Sequence, residues 1–195
     1  MAKVKGPLLS LDARGKIADT IVFSNWKGIK TARTYIIPAN PNTADQQTQR
    51  GLLSSAVTAY RNADLTGADK LAWDLLATTA PTPMFGFNRW VKNYIDLIIA
   101  EKTYNAMVAF EADTDTPEEI TFSVDATAED LAITLYYGTS PTSLINSAAM
   151  AHTSGGVYTK KVENLSPGVK YYATAIVTTE AKAGNRTGIL SAECT

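Results

Sequence analysis

The spacing of apolar positions changes twice along this chain. Residues 16–37, "KIADTIVFSNWKGIKTARTYII", alternate as strands do, and a polar break at "NWKG" divides them into two runs. In the first run Ile17, Ile21 and Phe23 share one side at period two, with Asp19 the exception. In the second, Arg33 lies between Thr31 and Tyr35 on one side. Gly28 can supply the positive φ of a tight turn, so the pattern predicts a β-hairpin. Pro38 and Pro41 end it, because neither has an N–H to give a ladder and both fix φ in an extended connector. The period then becomes helical. Thr43 with Gln46 fits a capping box that starts a helix near Ala44, and Leu52, Leu53, Ala56, Val57 and Tyr60 form its apolar stripe. "NADLTGAD" interrupts it. Thr66 caps a second helix whose inward positions are Ala68, Leu71, Ala72, Leu75 and Leu76, and "TTAPTPMFG" closes that one. A third runs from about Asn88 to Ala100, with Trp90, Val91, Tyr94, Ile95 and Ile98 on its apolar side. Trp73 and Trp90 sit on helical apolar faces and are read as core.

From about residue 115 the pattern shortens. "EEITFSVDA", "LAITLYYGTSP", "VYTKKVENL" and "KYYATAIVTTEA" are β-rich segments separated by turn signals, the spacing of a β-sandwich. "DTDTPEE" reads as a polar seam. The expected architecture is an α+β N-terminal module, a β-hairpin plus three-helix bundle over residues 1–110, followed by an all-β sandwich over 115–195. A cut within 111–118 is expected to separate them.

Charge adds an asymmetry that the net value of −1 conceals. Residues 1–110 carry 13 Lys and Arg against 8 Asp and Glu, and residues 111–195 carry 5 against 11. Surfaces of opposite sign can attract between neighbouring copies. The first 50 residues hold 8 basic against 3 acidic groups, far short of a basic nucleic-acid arm. Cys194 is the only cysteine, which excludes an intrachain disulfide. "MAKVKGPLLSLDARGK" has no apolar core of a secretory signal, and "YIDLIIA" falls well below the ~20 residues needed to span a bilayer. A soluble product made in the cytoplasm is expected.

Catalytic groups are scarce. His152 is the only histidine and reads as a loop residue; H-E-x-x-H, C-x-x-C and G-x-S-x-G do not occur. Asp113, Asp115, Glu118 and Glu119 lack the glycine-punctuated spacing of a calcium loop, and no helix follows Gly155-Gly156 to cradle a phosphate. No enzyme, metal or cofactor is expected. The distinctive constellation is instead Trp26, Lys27, Lys30, Arg33 and Tyr35 on the hairpin, with Pro38 and Pro41 as its stiff hinge. Three readings stay open: docking on another subunit, preferred because Trp, Tyr and Arg concentrate at interface hot spots; packing of Trp26 on the helices; and stacking on single-stranded nucleic acid.

Two resemblances give these readings a context. "LSPGVKYY" resembles the L-x-P-G-x-x-Y turn of fibronectin type III domains, and "YYGTSPTSL" resembles their mid-sandwich strand and turn. The resemblance implies that Leu165 plugs the core, Pro167-Gly168 makes the bend and Tyr171 forms a tyrosine corner, with Phe122 nearest the family's buried tryptophan. Over the first 100 residues, Gly15, Lys16, Trp26, Gly28, Arg33, Pro38, Asn40, Pro41, Thr43, Gln46, Arg50, Trp73, Gly86, Phe87 and Asn88 resemble a family of small, uncharacterised phage and prophage-type proteins. That resemblance implies a non-enzymatic structural protein of a phage-like particle, a capsid decoration or a tail or minor virion component. The N-terminal module would dock it, and the sandwich would project. Its partners would be other virion proteins and copies of itself, without nucleic acid or membrane. The alternatives are a nucleic-acid-binding accessory protein using the basic hairpin, or an intracellular adaptor.

Overall fold

The computed structural model describes residues 2–3, 14–37 and 42–195, with Ala2, Lys3 and Trp26 described by their backbone alone. The chain divides into two compact units, Met1–Ala44 and Asp45–Thr195.

The first unit is a four-stranded antiparallel sheet rather than a hairpin. β1 (Ala2–Lys3), β2 (Gly15–Ile17), β3 (Ile21–Trp26) and β4 (Ile29–Thr34) lie in the order β1-β4-β3-β2. The first apolar run splits because Ala18 and Asp19 take φ of 45° and 51°, and the turn closes through the Thr20 N–H to the Ile17 carbonyl at 3.0 Å. Asp19 broke the alternation because it belongs to a turn. Lys27 and Gly28, at φ 48° and 78°, form the second reversal, and two positive-φ residues match the right-handed strand twist. Thr31 and Ser24 pair across the strands, their hydroxyls 2.7 Å apart. Among the described residues of this sheet only Thr31 is buried, while Ile17, Ile21, Ile29, Ile36 and Ile37 are exposed.

The second unit holds α1 (Ala44–Asn62), α2 (Gly67–Thr78), α3 (Gly86–Ile99) and eight strands. One sheet orders β5 (Met107–Asp113), β6 (Ile120–Ala126), β10 (Val157–Val162) and β9 (Ala151–Ser154) as β5-β6-β10-β9. The other orders β7 (Ile133–Gly138), β8 (Asn146–Ala149), β11 (Lys170–Val177) and β12 (Leu190–Glu193) as β12-β11-β7-β8. Alternate residues of β6 and β7 turn inward, so Ile120, Phe122, Val124, Ile133 and Leu135 form the sandwich core with Phe110 and Tyr158. Phe122 stacks on Phe110, ring centroids 6.2 Å apart. Leu165 is buried in that core, and the Tyr171 hydroxyl accepts the Ser166 N–H at 3.1 Å, pinning the turn before β11.

The helices do not make a bundle of their own. Their core around Ala56, Trp73, Leu76, Trp90 and Val91 includes Ile189, and Val108, Leu144 and Tyr172 pack against it from the sandwich. The buried face of α2 also differs from the expected stripe. Asp69, Ala72, Trp73, Leu76 and Ala77 are buried, whereas Ala68 is exposed and Leu71 points outward at 71 % exposure. The inward face opens with a carboxylate, which an apolar count passes over. Asp69 completes a capping box with Thr66, accepting from the Thr66 N–H at 3.0 Å and returning through the Thr66 hydroxyl to its own N–H. The same carboxylate accepts the Ala109 N–H at 2.9 Å and the Phe110 N–H at 3.0 Å. Those two amides lie in a break in the β5–β6 register between Val108 and Glu111, where Ala109 takes φ 49°. A bulge frees N–H groups from the ladder, and Asp69 takes them up.

Three further contacts repeat the theme. Gly188 passes so close to α2 that an added Cβ would lie 2.2–2.5 Å from the Ala72–Trp73 backbone, and the Ile189 N–H reaches the Ala72 carbonyl at 2.9 Å. Asn185, 1 % exposed, accepts the Asn105 N–H at 2.8 Å and donates to the Thr103 carbonyl at 2.9 Å. Asp74 on α2 accepts the Gly86 N–H at 2.8 Å, satisfying the first turn of α3.

The expected division at 111–118 therefore falls inside the second unit. β5 runs through Asp113, and the seam is tied down: the Glu118 N–H donates to the Thr195 carbonyl at 3.0 Å and the Leu165 N–H to the Glu118 carbonyl at 2.9 Å. The strand "MVAFEAD" crosses the expected boundary at residue 110 and runs directly into the polar "DTDTPEE" turn, so no break in pattern marks it as part of the sandwich. Replacing Asp69 by Ala should cost about 3–5 kcal/mol, because the buried Phe110 amide and the part-buried Ala109 amide lose their acceptor. Thr66→Ala should cost only about 1 kcal/mol, the value of a cap. Urea melts of both variants against the wild type check the ratio.

Candidate functional site

The strand register decides what the basic hairpin can do. Lys30 pairs across from Asn25 and Arg33 across from Val22, positions of opposite parity, so the two basic side chains leave on opposite faces of the sheet. Lys27 is exposed at the tip of the turn. Tyr35 is half-buried and already has a cation: the Lys16 ammonium stands 4.5 Å from its ring centroid and also pairs with Asp19. Trp26 pairs with Ile29 in the ladder, while its side chain, like Pro38 and Pro41, lies outside the described residues. One face thus carries Ile17, Ile21, Phe23, Ala32 and Lys30, and the other carries Lys16, Val22, Ser24, Thr31 and Arg33. Each face mixes apolar and cationic groups, and neither forms a continuous basic track.

Groups of catalytic type are dispersed. His152 lies on β9 rather than in a loop, exposed, with its ring 5.1 Å from that of Tyr158. Cys194 is buried. Asp113 accepts the Asp115 N–H at 3.0 Å, and Glu119 pairs with Lys161 at 2.8 Å. Among the described residues no three His, Cys, Asp or Glu gather in a metal-binding arrangement, and no helix is long and apolar enough to cross a membrane.

A different site emerges where the helical layer meets the outer face of the β11 sheet. A cleft of about 470 Å³ opens there, with Arg89 from α3 and Arg186 from the segment before β12 in its wall. Thr79, Tyr136 and Thr142 supply hydroxyls, and Leu76 and Ile189 supply an apolar floor. Burial, and secondarily the positive charge of Arg89, lower the Arg186 guanidinium to about 10. Arg186 donates to the Thr187 carbonyl and the Thr174 hydroxyl, both at 3.4 Å. Neither arginine has a carboxylate in ion-pair range among the described residues. Sequence reasoning missed this pair because Arg89 and Arg186 are 97 positions apart. Nothing in "GFNRWV" or "AGNRTG" marks either as facing the other.

No protein-family model matches the chain, and no curated protein matches it. Among solved structures, one titled "Crystal structure of Br derivative BhCBM56" aligns at 18 % identity over 43 % of this chain and 88 % of its own, with a TM-score of 0.32. A likeness at that level carries no argument about this protein.

Because Lys30 and Arg33 diverge, the sheet should not hold single-stranded nucleic acid. The anisotropy of a labelled oligonucleotide should stay unchanged on addition of the protein at physiological salt. Binding that weakens steeply with salt and disappears in Lys27→Ala/Lys30→Ala/Arg33→Ala would reverse this.

Proposed function

We propose that the protein is a non-enzymatic structural component of a phage or phage-like particle, docked through its N-terminal sheet and projecting its sandwich. The observation that carries this reading is the state of the sheet. It leaves Ile17, Ile21, Ile29, Ile36 and Ile37 exposed and buries only Thr31 among its described residues. A sheet of short strands needs a covered apolar face to be stable, so an assembly partner would supply what this unit lacks.

Charge points to another copy of the chain as that partner. Residues 1–44 carry seven Lys and Arg against two Asp, a net of +5, and residues 45–195 carry 11 against 17, a net of −6. The change of sign thus coincides with the division between the units. Head-to-tail association, basic sheet on acidic unit, follows from that polarity and generates rings or filaments. The exposed isoleucines would supply the apolar part of the contact, and Lys27, Lys30 and Arg33 the steering charge.

We also assign the sandwich to the fibronectin type III type. The Tyr171 corner, the buried Leu165 and the sheet orders β5-β6-β10-β9 and β12-β11-β7-β8 support that assignment. Such a module, anchored by helices at one sheet, suits display at the outside of a particle.

The reading predicts concentration-dependent self-association. In sedimentation velocity at low ionic strength the protein should form species larger than a monomer. These should weaken as the Debye length falls from about 10 Å at 0.1 M to about 3 Å at 1 M salt. Lys27→Glu/Lys30→Glu/Arg33→Glu should stay monomeric throughout. A wild-type protein that is monomeric at every salt and concentration would remove copies of itself as the partner. Absence of the chain from purified particles by mass spectrometry would remove the particle.

A further inference from the structure

The cleft between the helical layer and the β11 sheet has the features of a binding site for a small organic anion. Arg89 and Arg186 stand in the wall of this 470 Å³ cleft, and among the described residues the Arg186 guanidinium is engaged only through two long hydrogen bonds of 3.4 Å. A guanidinium offers five N–H donors in a planar fork, so most of the hydrogen-bonding capacity of Arg186 is unspent. Placing two like charges side by side in a half-buried wall costs free energy unless an anion sits between or beside them. The depression of the Arg186 guanidinium by burial and by Arg89 registers that cost. None of the residues lining the cleft is acidic. Asp96 lines the smaller cleft on the other side of the same arginines, and it is already paired with Lys92. Among the described residues no carboxylate supplies the counter-charge to this cleft.

The rest of the lining restricts what the anion is attached to. Leu76, Ile176 and Ile189 make an apolar floor, with Pro81 and Pro141 at the sides. The Thr79 hydroxyl, which donates to the Leu75 carbonyl at 2.8 Å, can still accept from a ligand, and the Thr142 hydroxyl pairs with that of Ser140 at 3.0 Å. The volume falls within the 300–1,000 Å³ of small-molecule pockets. We propose that this cleft binds a small organic molecule bearing one oxyanion, carboxylate or phosphate, on an apolar or ring-shaped body, with Arg89 and Arg186 clamping the oxyanion. Arginine suits the task because its fork matches both oxyanions in bidentate geometry. The site uses residues of Asp45–Thr195 alone, so it stands whatever the N-terminal sheet docks upon.

The test titrates the full-length protein with phenyl phosphate, benzoate, inorganic phosphate and, as neutral control, benzyl alcohol. Thermal shift and tryptophan fluorescence are the readouts, the latter because Trp73 lines the neighbouring cleft. Phenyl phosphate or benzoate should raise the melting temperature and saturate, inorganic phosphate should bind more weakly, and benzyl alcohol should have no effect. Whichever aromatic anion binds tighter identifies the oxyanion. Arg186→Met and Arg89→Met should each weaken binding about ten- to a hundredfold. Arg186→Lys should retain part of the affinity. Each Met variant without ligand should melt no lower than the wild type, because an uncompensated charge has been removed. No saturable binding by either aromatic anion, or binding that is unchanged in both Met variants, would overturn the proposal. A Met variant that is less stable without ligand would show that the arginine has a structural task instead.

Discussion

The carboxylate of Asp69 is the contact on which the rest of the larger unit depends. It closes the capping box that starts α2 and takes up the two amides that the bulge in β5 releases. One buried group thereby fixes a helix terminus and a strand irregularity at once. Either task alone would leave donors without acceptors inside the protein, where an unmade hydrogen bond costs free energy comparable to the bond itself. With α2 held at β5, Gly188 can pass against Ala72, and Asp74 can set the start of α3. The aromatic cluster of Tyr60, Trp90, Tyr94 and Tyr104 then closes over the joint, with Trp90 at its centre.

This arrangement gives the helices a different meaning from the one their sequence invites. They are a layer on the sandwich rather than a bundle beside it, and the sheet of residues 1–44 buries only Thr31 among its described residues. The division of charge follows the same line. On the proposed reading, the basic sheet of one copy would meet the acidic, well-packed unit of another. The two arginines lining the 470 Å³ cleft give the packed unit a second feature, a pair of cations with no carboxylate in ion-pair range among the described residues.

Much of this was legible in the residues. Gly28 marked its turn, Thr66 its cap, and Trp73 and Trp90 the core, because each signal is local and has one physical cause, while Leu165 and Tyr171 were expected from the fibronectin type III resemblance. The failures share a cause as well. The inward face of α2 begins with Asp69, so counting apolar residues placed Leu71 inside and overlooked the lock. Ala18 and Asp19 adopt positive φ without a glycine to announce it, so one strand was read where there are two. β8 and β9, "NSAA" and "AHTS", lack β-branched and aromatic weight and become strands through their neighbours. Arg89 and Arg186 meet only in three dimensions.

The central claim is that helices and sandwich form one cooperative unit held by Asp69. Native-state hydrogen exchange on the full-length protein tests it most directly, since it measures the opening free energy of each amide separately. The account predicts that the amides of Leu76 in α2, Phe110 in β5 and Val124 in β6 open with the same free energy, that of global unfolding. A helical layer that opens at distinctly lower free energy than β6 would contradict it.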